Sequence, residues 1–353
     1  MANKKSKSEK AVPSDNWERS PLEKVERNYN VINEGILTKK DFALLFASGE
    51  EKYYIPAETT KRLDIYNNVT LSGGFLTYVA QQGIDVAIYD RFGNPLGVYS
   101  ACQNHGNVET MIKQVNLYQD QSRRLEIAKI IELAAFTNMR KTVAYHLRCT
   151  DSKEIREIGQ ELKSTCSQIQ HCMDMEHLML VEAQGRQSYY RLFDCAISDE
   201  SFVFGKRSKR PPENEINAMI SFGNTLLYNR LALEISKTSL DGRIGVIHST
   251  TARRNQTLNL DLAEIFKPLL VDSVIFRLVN NHILSRSWDF VPERGGIYLS
   301  ESGKTKFIEA FNSGLVRKVT VDDKKLTYAQ ILRREVRNYR SLILHETPYR
   351  PYS

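Results

Sequence analysis

The chain has 353 residues, 41% hydrophobic and 26% charged, ordinary values for a globular protein with room for two domains. It contains no apolar run long enough to span a bilayer and no signal-peptide pattern, so a cytoplasmic protein with no membrane role is expected. The 49 basic side chains exceed the 42 acidic ones only mildly, so the places where they cluster matter more than the total, and five scattered cysteines without Cys-x-x-Cys spacing argue for reduced thiols and against structural zinc.

Residues 1–30 open with a lysine-rich run, stay polar and lack apolar periodicity, which reads as a disordered basic tail. From 31 to 106 short apolar or alternating runs recur at 35–37, 43–46, 52–55, 63–66, 86–89 and 96–99, as expected of a small β domain. A short helix is predicted over 72–82, stopping at Gly83. Nothing in this part carries catalytic chemistry.

Near Glu109 the pattern becomes helical and stays so to the C-terminus, giving a larger, mainly α-helical domain over 107–353 and an α+β protein overall. Residues 123–146 form one amphipathic helix, with Arg123, Arg124, Lys129, Arg140 and Lys141 off its apolar side. Residues 154–172 form a second. His171, Cys172 and His177 nearby lack the spacing and fourth ligand of a zinc site and read as surface or packing residues. In the helix over 173–193, Glu182 follows an apolar run and Gly185 sits in mid-helix, at a cost of about 1 kcal/mol relative to alanine. By spacing alone Glu182 is the i,i+4 partner of Arg186.

Four basic residues in five, Lys206, Arg207, Lys209 and Arg210, then lie on a loop closed by Pro211 and Pro212, ahead of a mostly buried helix over 217–233. A solvated loop and a phosphate-binding one both fit such a cluster. The stretch 244–277 reads as a buried strand or turn ending at His248, a basic loop carrying Arg253 and Arg254, and a helix starting near Thr257. Leu258, Leu262, Ile265, Leu269 and Leu270 keep the helical period, while Asp261 and Glu264 share a different face. That acidic face is either simply solvated or, with His248, a cage for a divalent cation; oxygen ligands suit magnesium or manganese, and the imidazole favours manganese. Further helices are expected over 304–312 and 326–345, the last presenting Arg333, Arg334, Arg337 and Arg340 to solvent or to phosphate.

The run Gly245, His248, Leu258, Leu260, Asp261, Leu262, Glu264, Phe266, Lys267, Pro268 and Asp272 resembles the signature of the CRISPR-associated integrase family. Arg207, Pro211, Pro212 and Asn217 match that family's Arg-x-x-x-Pro-Pro-x-x-x-x-Asn segment, and Glu182 with Tyr189 and Tyr190 matches its upstream glutamate motif, save that Ala183 stands where glycine is usual. The resemblance covers roughly residues 35–352. It implies a metal-dependent DNA endonuclease and integrase that inserts spacers into a CRISPR array by 3′-hydroxyl attack on a phosphodiester. It further implies Glu182, His248 and Glu264 as catalytic metal ligands for Mg2+ or Mn2+, with Asp261 as a supporting carboxylate. Lys206, Arg207, Lys209, Arg210, Arg253 and Arg254 would hold double-stranded DNA. The implied partners are a second copy, making a homodimer, and the small ferredoxin-like second adaptation protein. A transposon-mobilising integrase of the same fold and a non-catalytic DNA-binding scaffold are the alternatives.

Overall fold

A computed structural model describes residues 27–90, 93, 95–100, 107–248 and 256–353. Most of the expected tail, as well as Arg253 and Arg254, therefore lies outside the described residues. The N-terminal part holds β1 (Arg27–Val31), β2 (Gly35–Lys40), β3 (Ala43–Ser48), β4 (Glu51–Pro56), β5 (Thr60–Ile65), β6 (Val69–Leu71), α1 (Gly73–Gln82), β7 (Asp85–Tyr89) and β8 (Pro95–Tyr99). They make two four-stranded sheets, ordered β1-β5-β7-β8 and β4-β3-β2-β6. Between the sheets lies an apolar core that includes Leu37, Leu44, Leu63, Ile65, Phe75 and Val86. Ser72 caps α1 by accepting from the Phe75 amide, and Gly83 ends it in the left-handed conformation, at φ 66°.

Side chains alternate along a strand, so β5 has two different faces. Leu63 and Ile65 enter the core between the sheets. Arg62 and Asp64 point the other way and are buried too: Arg62 Nε donates to Asp64 Oδ1 at 2.6 Å, and the Tyr89 hydroxyl donates to the same oxygen at 2.9 Å. Tyr66 and Tyr89 stack at 4.6 Å and belong to the core of the helical part, so this polar face of the sheet is the joint between the two halves.

The helical part runs α2 (Val108–Gln119), α3 (Gln121–Cys149), α4 (Lys153–His171), α5 (Met175–Ala196), α6 (Glu215–Ser236), α7 (Leu258–Glu264), a π-helical turn (Lys267–Asp272) and α8 (Ser273–Asn280). It continues with α9 (Arg286–Asp289), the hairpin β9 (Phe290–Glu293) and β10 (Gly296–Leu299), α10 (Glu301–Val316), the hairpin β11 (Lys318–Val321) and β12 (Lys324–Thr327), and α11 (Tyr328–His345). Apolar on nearly every side, α6 runs through the middle of this core. Neither hairpin was expected from sequence, and the helix expected from 326 begins at Tyr328 because 324–327 form β12.

Residues 241–248 form bends and turns, not a strand. The single helix expected beyond Thr257 is interrupted, with α7 passing through the π-helical turn before α8 begins. Such single-turn bulges are often found at functional sites. The arginines of α11 are mostly engaged within the protein: Arg334 pairs with Asp322 at 2.6 Å, Arg340 donates to Ser239 at 3.0 Å, and Arg333 reaches Glu234 at 3.4 Å.

Candidate active site

Of the two readings of the acidic face of α7, the solvated one does not hold. Asp261 is fully buried and Glu264 is 4% exposed, because each carboxylate meets donors delivered from elsewhere in the chain. Asp261 Oδ2 accepts the amides of Val246 and Ile247 at 2.5 and 3.1 Å, while Oδ1 accepts the His248 amide at 3.0 Å and faces His248 Nδ1 at 2.8 Å. Three successive N–H groups wrapped around one carboxylate make an anion nest, which accounts for a buried charge without a full counter-ion. The approach needs glycine at 245, since a Cβ there would collide with Asp261 Oδ2. Thr257 closes the turn from the other side, its hydroxyl accepting the Gly245 amide at 2.9 Å and donating to the Arg243 carbonyl at 2.8 Å. Arg124 at the start of α3 braces it again, donating through Nε to the Val246 carbonyl at 2.7 Å.

With Nδ1–H given to Asp261, the ring of His248 presents Nε2 as its lone-pair nitrogen, the arrangement typical of a metal-ligating or proton-handling histidine. His248 lines a cavity of about 1440 Å³ together with Glu182 of α5 and Lys267 of the π-helical turn. Glu264 lies directly behind the wall, where Lys267 Nζ donates to its Oε1 at 2.7 Å and Arg186 bonds its Oε2. Arg186 bonds Glu182 as well, at the i,i+4 spacing the sequence suggested. Burial alone would push the Glu264 carboxyl up, but the Arg186 and Lys267 cations outweigh it and hold the group down at about 2, fully ionised.

Glu182 reaches this position because α5 lies close against α3. Gly185 makes that possible: a Cβ there would fall 2.5 Å from the ring of Phe136 and 2.6 Å from Thr165. The mid-helix glycine thus serves as the seat for a fully buried phenylalanine.

The basic loop forms another wall. Arg207, Lys209 and Arg210 line the cavity, whereas Lys206 is exposed and is not among its lining residues. Arg207 is held in place, its guanidinium donating to Asn217 Oδ1 at 2.8 Å and Ser221 Oγ at 3.0 Å. Asn217 also accepts the Ser208 amide at 3.0 Å and donates to the Lys206 carbonyl at 2.8 Å, so one side chain sets the whole loop. Arg124, Arg294 and Lys304 add further cations around the same space, against Glu176 and Glu182 among the described acidic residues. The result is an anion-attracting cavity with an acidic floor.

Sequence reasoning passed over three residues of this site: Glu132, Arg186 as more than a helix pair, and Lys267 as more than part of a motif. Glu132 was visible in principle, since it occupies the apolar side of α3 between Ala128 and Phe136, where a charge is out of place. The other two are recognisable only once separate segments are brought together.

Among the described residues no three His, Cys, Asp or Glu side chains stand together as ligands of one ion. Between the Glu182 and Glu264 carboxylates stands the Arg186 guanidinium, and Lys267 adds a second positive charge against Glu264. Two glutamates and an imidazole fit magnesium or manganese by donor type, although as placed they are not gathered round one point.

The family model described as CRISPR associated protein Cas1 matches residues 29–313. A CRISPR-associated endonuclease Cas1 of Thermodesulfovibrio yellowstonii is 34% identical over 93% of this chain and 99% of that protein. Another, from Clostridium perfringens, is 31% identical over 92% of this chain and 98% of its own length. Among solved structures, a CAS1 protein from Thermotoga maritima superposes with a TM-score of 0.78 at 28% identity, covering 92% of this chain and 98% of that one. The chain belongs to the CRISPR-associated Cas1 family.

Proposed function

We propose that this chain is a metal-dependent DNA endonuclease and integrase of CRISPR adaptation, with Glu182, His248 and Glu264 as the residues that hold the cation. The reading is supported above all by one arrangement: Glu182 and Glu264 share the Arg186 guanidinium, while Glu182 and His248 line one cavity with arginine and lysine side chains. Curated relatives at 31–34% identity are named as CRISPR-associated endonucleases, which favours this activity over a transposon-mobilising integrase or a non-catalytic scaffold.

When bound, a divalent cation supplies charge stabilisation at the attacked phosphate and lowers the pKa of an attacking hydroxyl. The protein's own groups do the rest. Arg207 and Lys267, both fixed by hydrogen bonds, offer positive charge to the non-bridging oxygens without having to reorganise. Lys209 and Arg210 hold the flanking backbone, a contact that reads phosphate and not sequence. Asp261 fixes the His248 tautomer and ring plane.

The surface supports a protein partner. Val108, Met111, Ile112 and Val115 leave an apolar stripe exposed along α2, and Leu96 and Val98 do the same on β8, an edge strand. A second copy of the chain covering this surface is our reading, with the small ferredoxin-like adaptation protein as a further partner. The test is integration of a short duplex with 3′-hydroxyl ends into a supercoiled plasmid carrying a leader and repeat. Manganese should support more activity than magnesium at equal concentration, calcium none, and His248→Asp should narrow the manganese-to-magnesium ratio. Equal ratios in wild type and variant would remove His248 from the metal.

A further inference from the structure

Glu132 has been given no role so far, yet its carboxyl faces Arg186. It is 1% exposed, on the apolar side of α3, with Ala128 and Phe136 one turn away on either side. Its Oε2 has no hydrogen-bond partner, a costly condition for a buried carboxylate oxygen. The nearest positive charge is Arg186, whose Nη2 stands 3.8 Å from that oxygen while bonding Glu264. One guanidinium thus faces three carboxylates, of which it satisfies Glu182 and Glu264 and leaves Glu132 wanting.

Cations of like charge cannot share the space between Glu182 and Glu264. A divalent ion entering there must move Arg186, and a displaced guanidinium that is 13% exposed needs an anion within reach. Glu132 is that group: its unpartnered oxygen is already close, and the burial that holds its carboxyl well above the usual carboxylate range is countered once the guanidinium comes fully against it. We propose that Arg186 is a displaceable counter-cation, holding Glu182 and Glu264 while the metal is absent and turning onto Glu132 when the metal arrives. Glu132 is then a positioning residue that acts through Arg186 and never touches the ion. The exchange keeps the site from collapsing when empty and makes affinity for the metal depend on a residue outside its ligand set.

The inference rests on the proposed metal site, and the experiment separates the two. Mn2+ is titrated calorimetrically into the full chain as wild type, His248→Ala, Glu132→Gln, Arg186→Gln and the Glu132→Gln/Arg186→Gln pair, with circular dichroism to check folding. Arg186→Gln should bind Mn2+ more tightly than wild type, since the competitor is gone. Glu132→Gln should bind about tenfold more weakly, since the guanidinium has nowhere to go. In the Arg186→Gln background, Glu132→Gln should change affinity by less than about threefold. A Glu132 effect as large without Arg186 as with it would overturn the exchange, as would Arg186→Gln binding no more tightly than wild type. If Glu132→Gln does not fold, the Arg186→Gln comparison decides alone. No binding by wild type, or binding that survives His248→Ala, would instead bring down the metal assignment, and the exchange with it.

Discussion

Nδ1 of His248 lies 2.8 Å from Oδ1 of Asp261, and the same carboxylate accepts the amides of Val246, Ile247 and His248. One side chain therefore shapes the turn and orients the ring it presents. Asp261→Asn keeps the size but loses the charge and one acceptor, leaving amides of the turn unpaired. Nuclease activity is expected to fall 10- to 100-fold, about the cost of losing an outer partner of a metal-bound histidine, and Tm should drop with it. Cleavage rates and thermal unfolding measure the two effects, and wild-type values for both would mean that the pairing has no role.

Gly185 gives a packing test. Alanine is the better helix former by about 1 kcal/mol, but its methyl would meet the buried Phe136 ring and Thr165, and overpacking costs about 1–3 kcal/mol. Gly185→Ala should lower Tm, and combining it with Phe136→Leu should recover part of the loss. A stabilised Gly185→Ala chain would contradict the close approach of α3 and α5.

These two sites show what the sequence could and could not convey. Strand runs at 35–37, 43–46, 52–55, 63–66, 86–89 and 96–99 were legible because alternation of apolar residues is a local signal; each falls on β2, β3, β4, β5, β7 or β8, with Tyr66 one residue past the end of β5. Missed were β1, whose residues 27–30 were read as part of a disordered tail, β6, only three residues long, and the two hairpins β9–β10 and β11–β12, whose strands are four residues each. Spacing alone left Asp261 and Glu264 either solvated or in a cation cage, because their partners, three turn amides and Arg186, come from other segments of the chain. Gly185 was noticed as odd, but its reason, Phe136, is a contact between two helices.

The basic loop divides on the structure. Lys209 and Arg210 line the cavity, Lys206 does not, and Arg207 is bound to Asn217 and Ser221. Replacing Lys209 and Arg210 together by glutamine should weaken duplex binding equally for unrelated sequences and flatten the slope of log affinity against log salt by about two units. Lys206→Gln should leave that slope nearly unchanged. The reverse ranking, read from fluorescence anisotropy at several salt concentrations, would place DNA on the other side of the loop.

Glu335 sets a pH dependence for the fold. It is 1% exposed, accepts the Tyr349 hydroxyl and the Tyr352 amide at 2.5 and 2.9 Å, and so ties the C-terminal residues to α11. Burial pushes its carboxyl up to about 7 despite those hydrogen bonds. Between an ordinary carboxyl value of 4.5 and that point the folded chain keeps a proton the unfolded chain releases, so stability falls as pH rises through the window and is flat on either side. Glu335→Gln removes the dependence and should gain on wild type by up to about 3 kcal/mol between pH 4.5 and 7.5. Parallel Tm curves for the two chains across that range would contradict the raised pKa.

The proposed function is tested most directly by strand transfer. The full chain as wild type, Glu182→Ala, His248→Ala and Glu264→Ala is given a duplex with 3′-hydroxyl ends, Mn2+ and a supercoiled plasmid carrying leader and repeat, with duplex affinity measured alongside. Each variant should lose transfer and cleavage while binding duplex within about threefold of wild type, because affinity comes from phosphate contacts to the basic wall and chemistry from the acidic floor. Transfer largely retained by His248→Ala or Glu264→Ala would contradict the account.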